Sequence, residues 1–170
     1  MDWGTVGADE LSATLWRERG RLDFLLFLLE TQLLHLHAGH WHRLNFTASE
    51  LEKVLENLRF ESLARGVEAS ALAAEWKAPD QLTLPSLVRI APPGVWAGLL
   101  GEHREAMISL VESIDEAIDA NVSALADGPV VDVPGADELA LVTREANIQR
   151  ALAAVHAAAL PSLRDFLGLP

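Results

Sequence analysis

The chain has no cysteine and no tyrosine, and it is short of positive charge. Without cysteine there is no disulfide, no thiolate metal site and no cysteine nucleophile, a composition that suits a reducing compartment. The 13 Lys and Arg residues stand against 25 Asp and Glu, leaving a formal net charge of −12. A field of that sign repels nucleic acid and anionic lipid. The most apolar stretch, LDFLLFLLETQLLHL, carries Asp23, Glu30 and Gln32, whereas a bilayer span needs about 20 nearly uncharged residues. The opening MDWGTVGADE lacks the basic-then-apolar pattern of a secretion signal. These absences predict a cytoplasmic protein that binds no nucleic acid and makes no stable membrane insertion.

Catalytic signatures are missing as well. There is no Glu-x-x-His pair of the kind that builds di-iron bundles, no His-Glu-x-x-His and no glycine-rich phosphate loop. No serine sits in a strand–turn–helix context, and no segment alternates like a strand. The reading is therefore a non-enzyme without cofactors. With 50% hydrophobic and 22% charged residues over 170 positions, a single folded domain with a real core is expected rather than a disordered chain.

What the chain does contain is helical spacing. Leu11, Leu15, Leu22, Leu25, Leu29 and Leu36 recur at steps of three and four, with Glu18 and Gln32 filling two gaps. This stripe predicts a helix over about 9–38. Phe24, Leu26, Phe27, Leu33 and Leu34 widen its apolar face, as for a helix covered on more than one side. Thr47-Ala-Ser-Glu50 fits a capping box, so a turn is expected near 38–48 and a hairpin over 9–76. A connector follows at 77–95, with Thr83 as N-cap and Pro85 in the first turn of a short helix. A third helix is expected at 95–126. Its seam is Trp96, Leu100, His103, Met107, Leu110, Ile114, Ala117 and Asn121, where a polar Asn fixes register. The Pro- and Gly-broken DGPVVDVPG reads as a loop at 127–136. A C-terminal amphipathic segment at 137–167 presents Leu141, Ile148, Leu152 and Val155 on one side and is interrupted at Pro161. The predicted class is all-α: an antiparallel helical hairpin or bundle of three long helices plus a C-terminal amphipathic helix, in one domain.

Two clusters invite a functional reading. His35, His37, His40 and His42 crowd into eight residues. On a continuous helix His35 and His42 share one face, while His37 and His40 share another, roughly 60° apart. Zinc wants three or four converging ligands, so no metal site is expected, only a semi-polar helix end. A break at Gly39 would swing His40 and His42 toward the others. On the third helix Glu112, Asp115, Glu116 and Asp119 form an acidic stripe opposite the seam, a solvated face or a docking face for a basic partner. Five tryptophans, at positions 3, 16, 41, 76 and 96, sit mostly near expected helix ends and read as amphipathic anchors.

Longer strings carry a resemblance. LWRERGRLDFLLFLLETQLLHLHAGHWHRL, LEKVLENLRFESLARGVEASALAAEW and LTLPSLVRIAPPGVWAGLLGEHREAMISLVESIDEAIDAN resemble, in order and spacing over about residues 11–125, the FlgN-like flagellar export chaperones of actinobacterial type. That resemblance implies a cytoplasmic chaperone, not an enzyme. It would bind hook-associated (hook–filament junction) subunits, keep them export-competent and deliver them to the membrane export-gate protein. It further implies cargo binding in the C-terminal region, here Leu141, Ile148, Leu152, Val155, Leu163 and Phe166. The chain departs from the family pattern after Asn121, where a loop replaces an unbroken helix. The competing reading is a coiled-coil scaffold or regulatory protein with no secretion role, which predicts a homodimer through the third helix.

Overall fold

The computed structural model describes residues 6–127 and 138–170, with the backbone alone over 138–141. The architecture is all-α: helices α1 (Val6–Ala38), α2 (Trp41–Glu75), α3 (Leu84–Ile90), α4 (Trp96–Ala126), α5 (Glu138–Ala154) and α6 (Leu160–Leu167), with a π-helical turn Val155–Ala159 joining the last two. Among the described residues there is no strand. No described helix is long and apolar enough to cross a membrane.

The leucine stripe is the core face of α1. All six leucines, Glu18 and Gln32 are buried, because steps of three and four keep one line of side chains over a single seam. At 1.5 Å per residue α1 is about 50 Å long, and α2 and α4 both pack along it. The added apolar residues divide. Leu26 and Leu33 are partly buried, whereas Phe24, Phe27 and Leu34 lie outside the cover, the last 69% exposed.

The turn between α1 and α2 is much shorter than 38–48. Gly39, at φ +72°, takes the left-handed conformation. Its N–H reaches the Leu36 carbonyl (3.3 Å), and the His40 N–H reaches that of His35 (2.9 Å), a Schellman closure that reverses the chain at once. The apparent capping box therefore lies inside α2. Burial of Trp41, Leu44, Ala48 and Leu51 starts the helix early, with no side-chain cap. Thr47 instead turns its hydroxyl inward to the Leu44 carbonyl, 3.0 Å away.

The same closure ends α2 and α6. At α2 the left-handed residue is Lys77, at φ +61°, with Lys77 N–H on Ala74 O (3.0 Å) and Ala78 N–H on Ala73 O (2.8 Å). A side chain in this conformation costs roughly 1 kcal/mol. Lys77→Gly should therefore raise stability by about 0.5 kcal/mol after glycine's extra unfolded-state entropy is set against it, or roughly 1–2 °C in Tm. A thermal melt of the variant checks this, and any fall in Tm contradicts it.

Cross-helix pairs set the topology. Ser12 meets His103, and Gln32 meets Asn121, so α1 and α4 are parallel. Glu18 meets Arg65 and Gln32 meets Thr47, so α2 runs against them. Arg104 meets Leu167, and Asp115 meets Arg164, so the C-terminal segment also descends against α4. The result is an up-down-up-down four-helix bundle. Its connector, carrying α3 with the Thr83 cap and Pro85, packs on α4 and α6.

Candidate functional site

The C-terminal layer, expected to carry a binding face, is packed down. Ile148, Leu152, Val155, Leu163 and Phe166 are all buried in the core; the side chain of Leu141 lies outside the described residues, as does most of the 127–136 loop. Helix α5 and the π turn lie chiefly on α2, and α6 touches α4 and α3. Pro161 does not interrupt the segment. Proline has no N–H to donate to the preceding turn, and the backbone widens to a π turn immediately upstream, so the chain stays helical through it.

Arginines fasten the end of this layer. Arg65 of α2, buried, pairs with Glu18 of α1. It also donates to Ser162 Oγ at 3.0 Å and lies with its guanidinium carbon 4.8 Å from the centre of the Phe166 ring. One side chain thus ties three helices. Burial pushes the Glu18 carboxyl up to about 7, against the pull of Arg65 and with Glu61 adding to the rise; among the described residues its Oε2 has no hydrogen-bond partner. On α4, Arg104 Nε donates to the Leu167 carbonyl at 2.9 Å. Asp115 pairs with Arg164 of α6. The acidic stripe is therefore not uniform: Asp115 faces the C-terminal layer, while Glu112, Glu116 and Asp119 are exposed.

Upstream of these pins the layer is thinly packed. An open groove of about 430 Å³ lies between α4 and α5, lined by Ile118, Val122, Leu125, Leu152 and His156 among others. A second, of about 320 Å³, lies between α2 and the π turn, along Leu55, Leu58, Leu63, Ala154, Ala158 and Ala159. Along this second groove the resident segment offers only Ala154, Ala158 and Ala159, whose short side chains leave the space beside Leu55 and Leu58 unfilled.

Deeper in the bundle, polar residues are satisfied locally. Asn121 accepts from Gln32 Nε2 at 2.9 Å and donates to the Leu29 and Ala117 carbonyls at 3.0 and 2.8 Å. Thr47 donates to Gln32 Oε1 at 3.2 Å. His103, buried, has Arg19 at 3.2 Å from Nδ1 and Ser12 Oγ at 3.0 Å from Nε2. Since arginine only donates, Nδ1 accepts and Nε2–H donates to the serine. Burial first, and the Arg19 charge second, lower the His103 pKa. Trp16, 60% exposed, stands edge-on to this ring.

At the hairpin tip, Gly39 brings His35, His40 and His42 together. Ring centres lie 5.6 Å apart for His35–His40 and 5.9 Å for His40–His42. His37 is exposed, so the pairing of His37 with His40 expected for an unbroken helix gives way to His35 with His40, whose Nδ1 atoms are 3.4 Å apart. Among the described residues no group of three or more His, Asp or Glu is arranged to hold a metal ion.

Comparison of the chain with family models, curated proteins and solved structures finds no match. The residues that organise the layer must therefore be read from this fold alone. Spacing singled out none of Arg65, Arg104 and Arg164, and of these Arg65 alone left a trace. Its signal was indirect: Glu18 occupies a leucine position on α1, and a carboxylate there calls for a buried cation from another helix.

Proposed function

We propose that the chain is a cytoplasmic export chaperone without catalytic activity, which holds amphipathic helices of hook-associated flagellar subunits and presents them to the export gate. The cargo class comes from the resemblance of residues 11–125 to FlgN-like proteins. The observation that carries the binding role is the uneven seating of the C-terminal layer: α6 is pinned by Arg65, Arg104 and Asp115, while α5 and the π turn lie between two unfilled grooves.

An amphipathic cargo helix offers larger side chains to the groove on α2 than Ala154, Ala158 and Ala159 of the resident segment, and helix-in-groove packing is a common way to cover such a face. The π turn supplies the hinge. Helix α5 comes away, exposing Ile148, Leu152 and Val155 for cargo, while α6 stays fastened. Binding is then an exchange of one apolar contact for another, which keeps affinity moderate and release possible.

Co-expression with each hook-associated subunit tests this. A soluble one-to-one complex with at least one of them is expected. In the free chain, amides of 142–159 should exchange faster than those of 162–167 and slow on cargo binding. Failure to form a complex with any junction subunit overturns the reading.

A further inference from the structure

The hairpin tip carries a second surface, on α1 and α2, remote in role from the C-terminal layer. An open groove of about 470 Å³ runs between the two helices there. Its floor is Leu28, Thr31 and Thr47. Its walls are Phe27 and Phe46, 57% and 66% exposed. Its end is closed by His35, His40, His42 and Arg43, and among the described residues no carboxylate lines it.

We propose that this groove docks an acidic peptide segment of a partner protein, one bearing an aromatic or leucine side chain among its carboxylates. Two exposed phenylalanines facing a common channel offer an apolar seat, of the kind that marks interaction sites rather than ordinary surface. The charge around the seat selects the occupant. In a chain of net charge −12, the groove gathers three imidazoles and a guanidinium. Among the described residues Arg43 has no ion-pair partner. Glu50, one turn beyond Phe46, is held by Lys53 at 2.8 Å.

In the free groove His35 resists protonation. Partial burial and then the neighbouring His40, Arg43 and His42 lower the pKa of His35. The groups lining the groove with His35 are His40 from the turn, His42 and Arg43 from α2, and Thr31 and Phe27 from its own helix. A carboxylate seated among them reverses the repulsion, so docking takes up protons and tightens as pH falls through the imidazole range. A cationic segment would meet the opposite field.

Fluorescence anisotropy with the full chain tests the proposal. The probe is a labelled Glu-rich peptide with a central Phe-x-x-Leu, and its Gln-for-Glu counterpart is the control. The acidic probe should bind, and added salt should weaken it. Binding should be several-fold tighter near pH 6 than near pH 8. Arg43→Glu, or Phe27→Ser with Phe46→Ser, should each weaken it about tenfold or more. These residues are on the surface, so unchanged melting of the variants shows that the fold is intact. Three outcomes would overturn it: equal binding of the Gln peptide, binding indifferent to these substitutions, or retention on anionic vesicles instead of the peptide. Concentration-dependent self-association abolished by Arg43→Glu would also overturn it, by assigning the groove to the exposed acids of a second copy.

Discussion

Replacing Arg65 by methionine is expected to lower the stability of this bundle by about 3–5 kcal/mol, the usual cost of removing one member of a buried ion pair. Both side chains are only 3% exposed, so water cannot take over the role of the lost cation. The substitution also removes the Ser162 hydrogen bond and the contact with Phe166, loosening α6 along with α1 and α2. For a chain of this size the loss corresponds to a Tm lower by on the order of 10 °C.

The pH dependence separates the charge effect from lost packing. Burial raises the Glu18 pKa from 4.5 to about 7. Between those values the folded state keeps a proton that the unfolded state has released, so this group makes stability fall as pH rises through that window. In the Arg65→Met protein the counter-charge is gone, the folded pKa climbs further and the window extends upward. The deficit relative to the parent should be smallest near pH 5 and largest at pH 8 and above. Denaturant titrations at the two pH values measure it, and equal losses at both would show that packing rather than charge is responsible. Glu18→Leu combined with Arg65→Met should recover most of the stability, since an apolar pair of similar volume needs no compensation.

Asn121→Ala carries the second largest effect, about 2–4 kcal/mol, from a cavity and from the stranded Gln32 amide. Asn121 is fully buried and makes three hydrogen bonds, two of them to α1. Thr47 completes the set from α2, so three helices meet at one polar layer. Replacing all three together, with Gln32→Leu, Thr47→Val and Asn121→Leu, should restore stability while loosening register, because a purely apolar seam tolerates sliding that a satisfied polar layer forbids. Broadened amide resonances in the triple variant would report that loss of uniqueness. A single Asn121→Ala protein that unfolds at the parental denaturant midpoint would refute the role assigned to the layer.

The Glu18 and Gln32 gaps in the leucine stripe illustrate what spacing reveals. Both were visible as polar residues on an apolar line, and both prove to be buried contacts to other helices. Asn121 and His103 were legible in the same way, as polar residues on the α4 seam that the bundle satisfies locally. The turn was less legible. Two local signals competed for it, Ala38-Gly39 and the Thr47-Ala-Ser-Glu50 box, and burial of Trp41, Leu44 and Ala48 decided for the first. The π turn before Pro161 had no sequence sign beyond the proline itself.

Composition and periodicity by themselves determined the helical class, the core faces of α1 and α4 and the polar positions on their seams. Those features depend on residues three and four apart, which lie on one face of a helix whatever surrounds it. Only the tertiary structure decided that Glu18 meets Arg65, 47 residues away, that Asp115 is spent on Arg164, 49 residues away, and that Phe27 and Phe46 stay uncovered beside a cluster of histidines. Such pairings depend on how long helices stack and in which order. Local spacing carries no information about the partner across the bundle, and that partner determines whether a charge is a pin, a free surface or a docking point.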